Sequence, residues 1–472
     1  MVNTGLIGDW APPTGVLTVI RPTDATRAAA LEAPVGATPP SYQQEAYLKV
    51  ARTGADLGRR IDRLMLFTFR LPGRVDIEIA TAAFAAFVRR HDSMHSWFEF
   101  GTDKKLIRRV LDAGNIAFEA HTYEDRDTPV LDIIQQVTPD PFHWDCFTFG
   151  ILDHGESFTV ISAMDHLYCD AISSAIMAAE FMHRYFELAG GRLPIEAPVA
   201  SYRSFCDRER ATTAALGAHS PEIVGWSDRI KANGGQLPSF PLPLGTDSGP
   251  AYAAMHTEQL LDAAAAADFE AVCRAGGFRL VAGVFAAAAH VDRELAGRTT
   301  YFGLTPKSAR TTELERISVG WYASLIPLMF SIDEAHEFRD VALAAATAFE
   351  DGKKLSGVSL HRVVELLQGT PGFHVREGWF APMLSFLDVR KLPGAAILSE
   401  MDAGVFGSRG SSEEVYLWLN WLDDGVSLAA LFPDTPTAHA SVRTYLETFR
   451  RVLTSVAATG DYRVEEALVV HG

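Results

Sequence analysis

A proline- and glycine-rich break, Asn233-Gly-Gly-Gln-Leu-Pro-Ser-Phe-Pro-Leu-Pro-Leu-Gly245 and on to Pro250, interrupts the chain near its middle. Neither helix nor strand periodicity survives that density of Pro and Gly, so the segment reads as a linker. It leaves an N-terminal lobe over 1–232 and a C-terminal lobe over 251–472, with 233–250 between them. A chain of 472 residues exceeds what one ordinary core organises, which agrees with such a division. Strand-like and helix-like segments alternate on both sides. Arg60–Phe69 reads as a strand and Ile77–Arg90 as a helix; Leu261–Ala275 and Val281–Leu295 read as helices, followed by a strand-like Thr300–Leu304. The pattern predicts a mixed α/β protein rather than a bundle or a sandwich. No internal repetition is visible between the halves.

Composition excludes several function classes. With 48% hydrophobic and 21% charged residues the chain reads as a soluble globular protein with a large interior. A formal charge of −17 argues against nucleic acid as a partner, because binding phosphates requires a basic surface. An anionic small molecule such as coenzyme A would need a local cluster of Lys or Arg. Cys146, Cys169, Cys206 and Cys273 show no paired spacing, so a metal site is not expected and a reduced, cytoplasmic protein is. The opening residues lack a signal-peptide pattern, and no run reaches the roughly 18 apolar residues of a membrane span. Walker, zinc-protease and dinucleotide fingerprints are absent.

His166-Leu-Tyr-Cys-Asp170 is the most chemically suggestive motif. Its spacing recurs as His121–Asp125 and His336–Asp340, so context must choose among the three. Before His166, Phe158–Met164 reads as a buried strand; after it, apolar residues recur at helical spacing to Leu188, where Gly190-Gly191 stops the run. His166 is therefore expected on a short strand-to-helix connection, aimed at a cleft and fixed by rigid elements. The other two histidines lie in acidic, polar stretches. Asp170 also suits a helix N-cap over Ser173. Cys169 reads as a buried thiol rather than a nucleophile, and His91 and His95 as structural.

Several further motifs, in order, carry a resemblance. They are Pro40-Ser-Tyr-Gln-Gln44, Arg89-Arg-His-Asp-Ser-Met-His-Ser-Trp-Phe98, Trp144-Asp-Cys-Phe147, Phe240–Gly245, Tyr301–Pro306 with Arg310, Gly320-Trp-Tyr322, Leu325-Ile-Pro327, Ser385–Asp388 and Leu431–Asp434. Together with His166 and Asp170 the chain resembles the condensation-domain superfamily, and within it the polyketide-synthase-associated (PapA-type) acyltransferases of actinobacteria. The resemblance implies two lobes of the chloramphenicol-acetyltransferase-like fold with an active-site tunnel between them. It implies His166 as catalytic base, and Asp170 and Arg310 as an ion pair that shapes its loop. Gly320, Trp321 and Tyr322 would line the tunnel, with Gly320 admitting a strand close to it; Ser308 and Ser324 are polar groups near it.

The implied reaction moves a fatty or polyketide acyl group from an acyl-CoA or acyl carrier protein thioester to a hydroxyl of a sugar such as trehalose, or of a lipid alcohol, in glycolipid biosynthesis. No cofactor beyond the thioester substrate is expected. A polyketide synthase or carrier protein is an expected partner, the protein is expected to be monomeric, and membrane contact at most peripheral. An alcohol attacks a thioester slowly until its proton is removed, which a neutral imidazole of ordinary pKa near 6.5 can do. Two departures from the superfamily stand out, Asp165 in place of a second His and Ala171 in place of a Gly. The motif Val405-Phe-Gly-Ser408 is likewise a degraded form of one found in peptide-forming members. All three lead away from peptide synthesis. The rival readings are amide formation by a free-standing condensation protein and a non-catalytic module that binds a carrier protein.

Overall fold

Two neighbouring strands, Leu64–Pro72 and Ser157–Asp165, are apolar almost throughout because both faces of the sheet they share are covered. Side chains alternate between faces along a strand. Phe67, Phe69, Val160 and Met164 enter one core with helices Ile77–Arg90 and Ala171–Ala189, while Leu64, Leu66, Ile161 and Ala163 enter another that includes Ile133 and Ile134 of helix Val130–Val137. In this computed structural model, residues 3–56, 63–124, 127–195, 197–246, 251–332, 337–375, 381–392 and 400–463 are described.

The sheet has seven strands in the order Asn3–Leu6, Gly404–Gly407, Leu64–Pro72, Ser157–Asp165, Phe147–Asp153, Val16–Pro22 and Phe118–Tyr123. Only its first pair is parallel. Helix Ile77–Arg90 has the bounds its periodicity predicts. Asp76 starts it by accepting the Ile79 N–H at 3.0 Å, and basic residues Arg89 and Arg90 occupy its last turn.

These elements belong to the first of two compact units, formed by Met1–Ala215, Ser308–Ala323 and Pro393–Gly410. The second comprises Leu216–Lys307, Ser324–Leu392 and Ser411–Gly472. It holds a five-stranded sheet in the order Met383–Asp388, Tyr416–Leu422, Gly425–Pro433, Ala251–Asp262 and Ser411–Ser412, with a separate pair, Thr300–Ser308 and Ala323–Ser331. Helices Ala263–Gly276, Leu280–Ala296, Phe338–Lys354 and Pro436–Thr459 contribute to its main core. The protein is thus mixed α/β, as expected.

Several boundaries differ from the linear reading. The first unit is discontinuous, so 1–232, 233–250 and 251–472 are not its divisions, although no named helix or strand falls between Asn233 and Thr246. The strand expected from Arg60 begins at Leu64 and runs to Pro72, with 60–62 outside the described residues. The helix expected from Leu261 begins at Ala263, because the Asp262 carboxylate accepts the Ala265 N–H at 2.8 Å while Leu261 still pairs in a strand. Among the described residues no single helix is long and apolar enough to cross a membrane.

Candidate active site

His166 follows the last residue of strand Ser157–Asp165 and precedes helix Ala171–Ala189, all within the first unit. Its loop is held by buried polar groups. The Asp165 carboxylate accepts the Tyr47 hydroxyl at 2.7 Å and the Leu167 N–H at 2.9 Å. Gln44 donates to the Leu167 carbonyl at 2.9 Å, and the Tyr168 hydroxyl lies 2.8 and 2.7 Å from the carbonyls of Ser96 and Trp144. The His166 N–H donates to the Arg63 carbonyl at 2.9 Å. Such a frame fixes the imidazole without touching its ring nitrogens.

Asp170 closes the loop in two ways. As helix N-cap its Oδ1 accepts the N–H and hydroxyl of Ser173, both at 2.9 Å. It also forms a two-pronged pair with Arg310, at 2.7 Å from Nη1 to Oδ2 and 3.0 Å from Nη2 to Oδ1, while Oδ2 accepts the Tyr322 N–H at 3.1 Å. The pair is enclosed, with side-chain exposures of 2% for Arg310 and 11% for Asp170. Remaining guanidinium N–H groups reach the carbonyls of Glu315 and Ser318, both at 3.1 Å, and the guanidinium lies 4.4 Å from the Tyr322 ring centre. Each of the three nitrogens of this buried cation therefore faces at least one acceptor, which offsets the cost of its burial. Nothing here positions Asp170 as a partner of the His166 ring.

The three residues after Val319 divide. Trp321 packs against His166, with ring centres 4.3 Å apart, and meets Tyr47 edge-on. Tyr322 is fully buried, its hydroxyl 3.2 Å from Ser318 Oγ, and belongs to the packing around Arg310 rather than to a lining. Gly320 lies in the loop before strand Ala323–Ser331, not on a strand. A Cβ there would sit 2.3 Å from Cδ2 of Tyr202, so the glycine admits a core aromatic ring. Ser308 accepts the Arg310 N–H at 3.3 Å, and Ser324, in the second unit, donates to the Ser356 carbonyl at 3.2 Å.

The imidazole of His166 is half-buried. Burial, followed by the positive charge of Arg63, pushes its pKa from the ordinary 6.5 down to about 4; nearby backbone carbonyls and Asp170 oppose the shift. The ordinary value expected from sequence is thus corrected, and the ring is neutral at pH 7. Nδ1 is sealed from solvent and makes no hydrogen bond of normal geometry to the described residues, leaving Nε2 as the nitrogen able to meet a substrate.

Other candidates resolve differently. Cys169 is buried, its thiol pushed well up by burial and then by Asp170, and donates weakly to the Asp165 carbonyl. That is a protonated structural thiol. His91 accepts the Val319 N–H at Nδ1, so Nε2 carries the proton and donates to Glu180 at 3.2 Å. His95 Nε2 donates to the Val88 carbonyl at 2.9 Å. His121 sits on edge strand Phe118–Tyr123 beside Glu119, while Asp125 and His336 lie outside the described residues. Among the described residues no three His, Cys, Asp or Glu side chains gather as a metal would need. Sequence reasoning missed Asp165, Tyr47 and Arg63. The Gln44 within Pro40–Gln44 was a visible signal for the helix that bears Tyr47.

Comparison with known proteins adds identity to this geometry. The condensation-domain family matches residues 64–468. Acyltransferase PapA3 of Mycobacterium tuberculosis is 35% identical over 469 residues, covering 97% of this chain and 98% of that protein. The 2'-acyl-2-O-sulfo-trehalose (hydroxy)phthioceranyltransferase PapA1 of the same organism is 33% identical, covering 97% and 89%. The solved structure of PapA2 acyl transferase superposes with a TM-score of 0.91 at 32% identity, covering 96% of this chain and 99% of that one. The first condensation domain of the calcium-dependent antibiotic synthetase shares the fold, with a TM-score of 0.70 at 15% identity. The expected fold class is therefore the observed one, and the chain belongs to the condensation-domain family, within it to the PapA-type acyltransferases.

Proposed function

We propose that this enzyme moves a fatty or polyketide acyl group from an acyl-CoA or acyl carrier protein thioester to a hydroxyl of trehalose or of a sulfated trehalose, in glycolipid assembly, with His166 as general base. The observation that carries the reading is a neutral imidazole on a rigid loop, one nitrogen sealed and the other unclaimed. The names of similar proteins, trehalose-2-sulfate acyltransferase PapA2 and the sulfo-trehalose enzyme PapA1, support a sugar acceptor.

In this reaction Nε2 removes the proton of the acceptor hydroxyl as its oxygen attacks the thioester carbonyl. The tetrahedral intermediate collapses, the C–S bond breaks, and the departing thiolate takes the proton back from the imidazolium. Ester and free thiol result, and the base is restored. General-base assistance contributes roughly 10²- to 10⁴-fold; holding the two reactants together supplies the remainder. Asp170 and Arg310 act as scaffold for the loop.

The test is incubation with radiolabelled acyl-CoA and, separately, trehalose, trehalose 2-sulfate and a primary amine. Wild type should form a sugar ester, and His166→Ala, folded by circular dichroism, should lose roughly 10²- to 10⁴-fold in rate. Amide as the main product, carrier-protein binding without transfer, or full turnover by His166→Ala would each overturn the reading.

A further inference from the structure

Arg63 lies immediately before strand Leu64–Pro72, exposed, in a chain whose net charge is −17. Its guanidinium sits 5.3 Å from the ring centre of Tyr47 and 5.8 Å from that of Trp321, the same indole that packs on His166. Among the described residues no carboxylate pairs with it. Its backbone is tied to the catalytic loop, with its N–H donating to Tyr47 Oη at 3.0 Å and Asp165 Oδ2 at 3.3 Å and its carbonyl accepting the His166 N–H. A cation is thus mounted on two aromatic faces, next to a base, its hydrogen-bonding fork engaging no other described residue.

We propose that Arg63 reads an anion at the His166 site, its guanidinium taking a sulfate or phosphate oxyanion carried by one of the two reactants. The inference rests on the acyl-transfer reading above and names a specificity element within it. Guanidinium geometry suits a two-pronged grip on such a group. The placement also has an electrostatic logic. A cation beside His166 opposes formation of the imidazolium that catalysis requires, and an arriving oxyanion cancels that opposition. The protein's own carboxylates do so only in part: Asp170 opposes the effect of Arg63 but is itself paired with Arg310, and Asp165 is engaged by Tyr47 and backbone N–H groups. Binding of the correct reactant would therefore strengthen the base.

Two sources of oxyanion exist, a sulfated acceptor and the phosphates of a coenzyme A or phosphopantetheine donor. Steady-state kinetics of wild type, Arg63→Gln and Arg63→Lys separates them. One arm compares trehalose with trehalose 2-sulfate, using a phosphate-free acyl-N-acetylcysteamine donor; the other compares that donor with acyl-CoA, using trehalose. Arg63→Gln should lower kcat/KM for the oxyanion-bearing reactant about 10- to 100-fold relative to its neutral counterpart, with Arg63→Lys intermediate. With neutral reactants the acid limb of the pH profile should move upward in Arg63→Gln. Equal losses in every arm would overturn the proposal, as would no loss in any. Calorimetric titration with trehalose 2-sulfate, coenzyme A and unmodified trehalose supplies a readout independent of turnover. Arg63-dependent preference for an anionic molecule, in an enzyme that transfers nothing, sinks the acyl-transfer reading and spares this one. No such preference in wild type sinks this one.

Discussion

Arg310→Met is the sharpest test of whether the buried ion pair is scaffold or machinery. The substitution keeps a long side chain but strips Asp170 of its two-pronged partner. Breaking a buried pair from one side costs about 3–5 kcal/mol. Asp170 keeps three other donors, the N–H and hydroxyl of Ser173 and the N–H of Tyr322, which places the loss near the lower end. At about 2–4 °C per kcal/mol for a domain of this size, a loss of about 3 kcal/mol lowers Tm by about 6–12 °C. Calorimetry measures the shift, and hydrogen exchange over helix Ala171–Ala189 localises it. Adding Asp170→Asn removes the orphaned charge while an amide oxygen can still accept the same N–H groups, so the double variant should recover at least about half of the loss. Turnover well below Tm should follow the folded fraction. An Arg310→Met protein that melts like wild type yet has lost its activity would refute the scaffold argument.

Other expectations follow from the site and the cores. His166 and His290 are both held at about 4, chiefly by burial and next by Arg63 and Arg293 respectively, whereas the unfolded chain binds these protons near 6.5. Their stability contribution is therefore complete above about pH 6.5 and is lost as pH falls toward 4, so urea midpoints should drop between pH 7 and 4.5. With neutral reactants, kcat/KM should show its acid limb near pH 4 rather than 6.5, read from a pH–rate profile. Cys169→Ala should turn over within a few-fold of wild type and form no acyl-enzyme by intact mass spectrometry; a covalent adduct on Cys169 would reverse that assignment. Gly320→Ala forces a methyl group into the Tyr202 ring and should destabilise by about 1–3 kcal/mol in thermal melts.

What could be read from the chain was local, and what escaped was held together by distant residues. Helix Ile77–Arg90 follows from its hydrophobic period, and the strand-turn-helix around His166 from period, a capping Asp170 and a terminating Gly190, signals that each act on their chain neighbours. The Asp165–Tyr47 bond joins positions 118 residues apart, and no periodicity announces it. Asp165 read only as a missing histidine; in the structure its carboxylate organises the loop. Gly320 invited a functional explanation because its neighbours are aromatic, yet the decisive contact is Tyr202, far away in sequence. The expected His pKa failed for the same reason, since neither burial nor the nearness of Arg63 can be seen in composition.

The discontinuous first unit has a consequence for biogenesis. Strand Leu64–Pro72 pairs on one side with Ser157–Asp165 and on the other with Gly404–Gly407. On the ribosome that second partner emerges about 340 residues later, roughly 20–70 s at ~5–20 residues per second. Throughout that interval a long apolar strand presents open backbone donors and acceptors, a template for wrong pairing. Arg310 too is delivered long after Asp170. The nascent lobe is thus a natural client for a chaperone, and a gene fragment ending at the central Pro/Gly segment would encode a sheet missing an inner strand and a carboxylate missing its counterion.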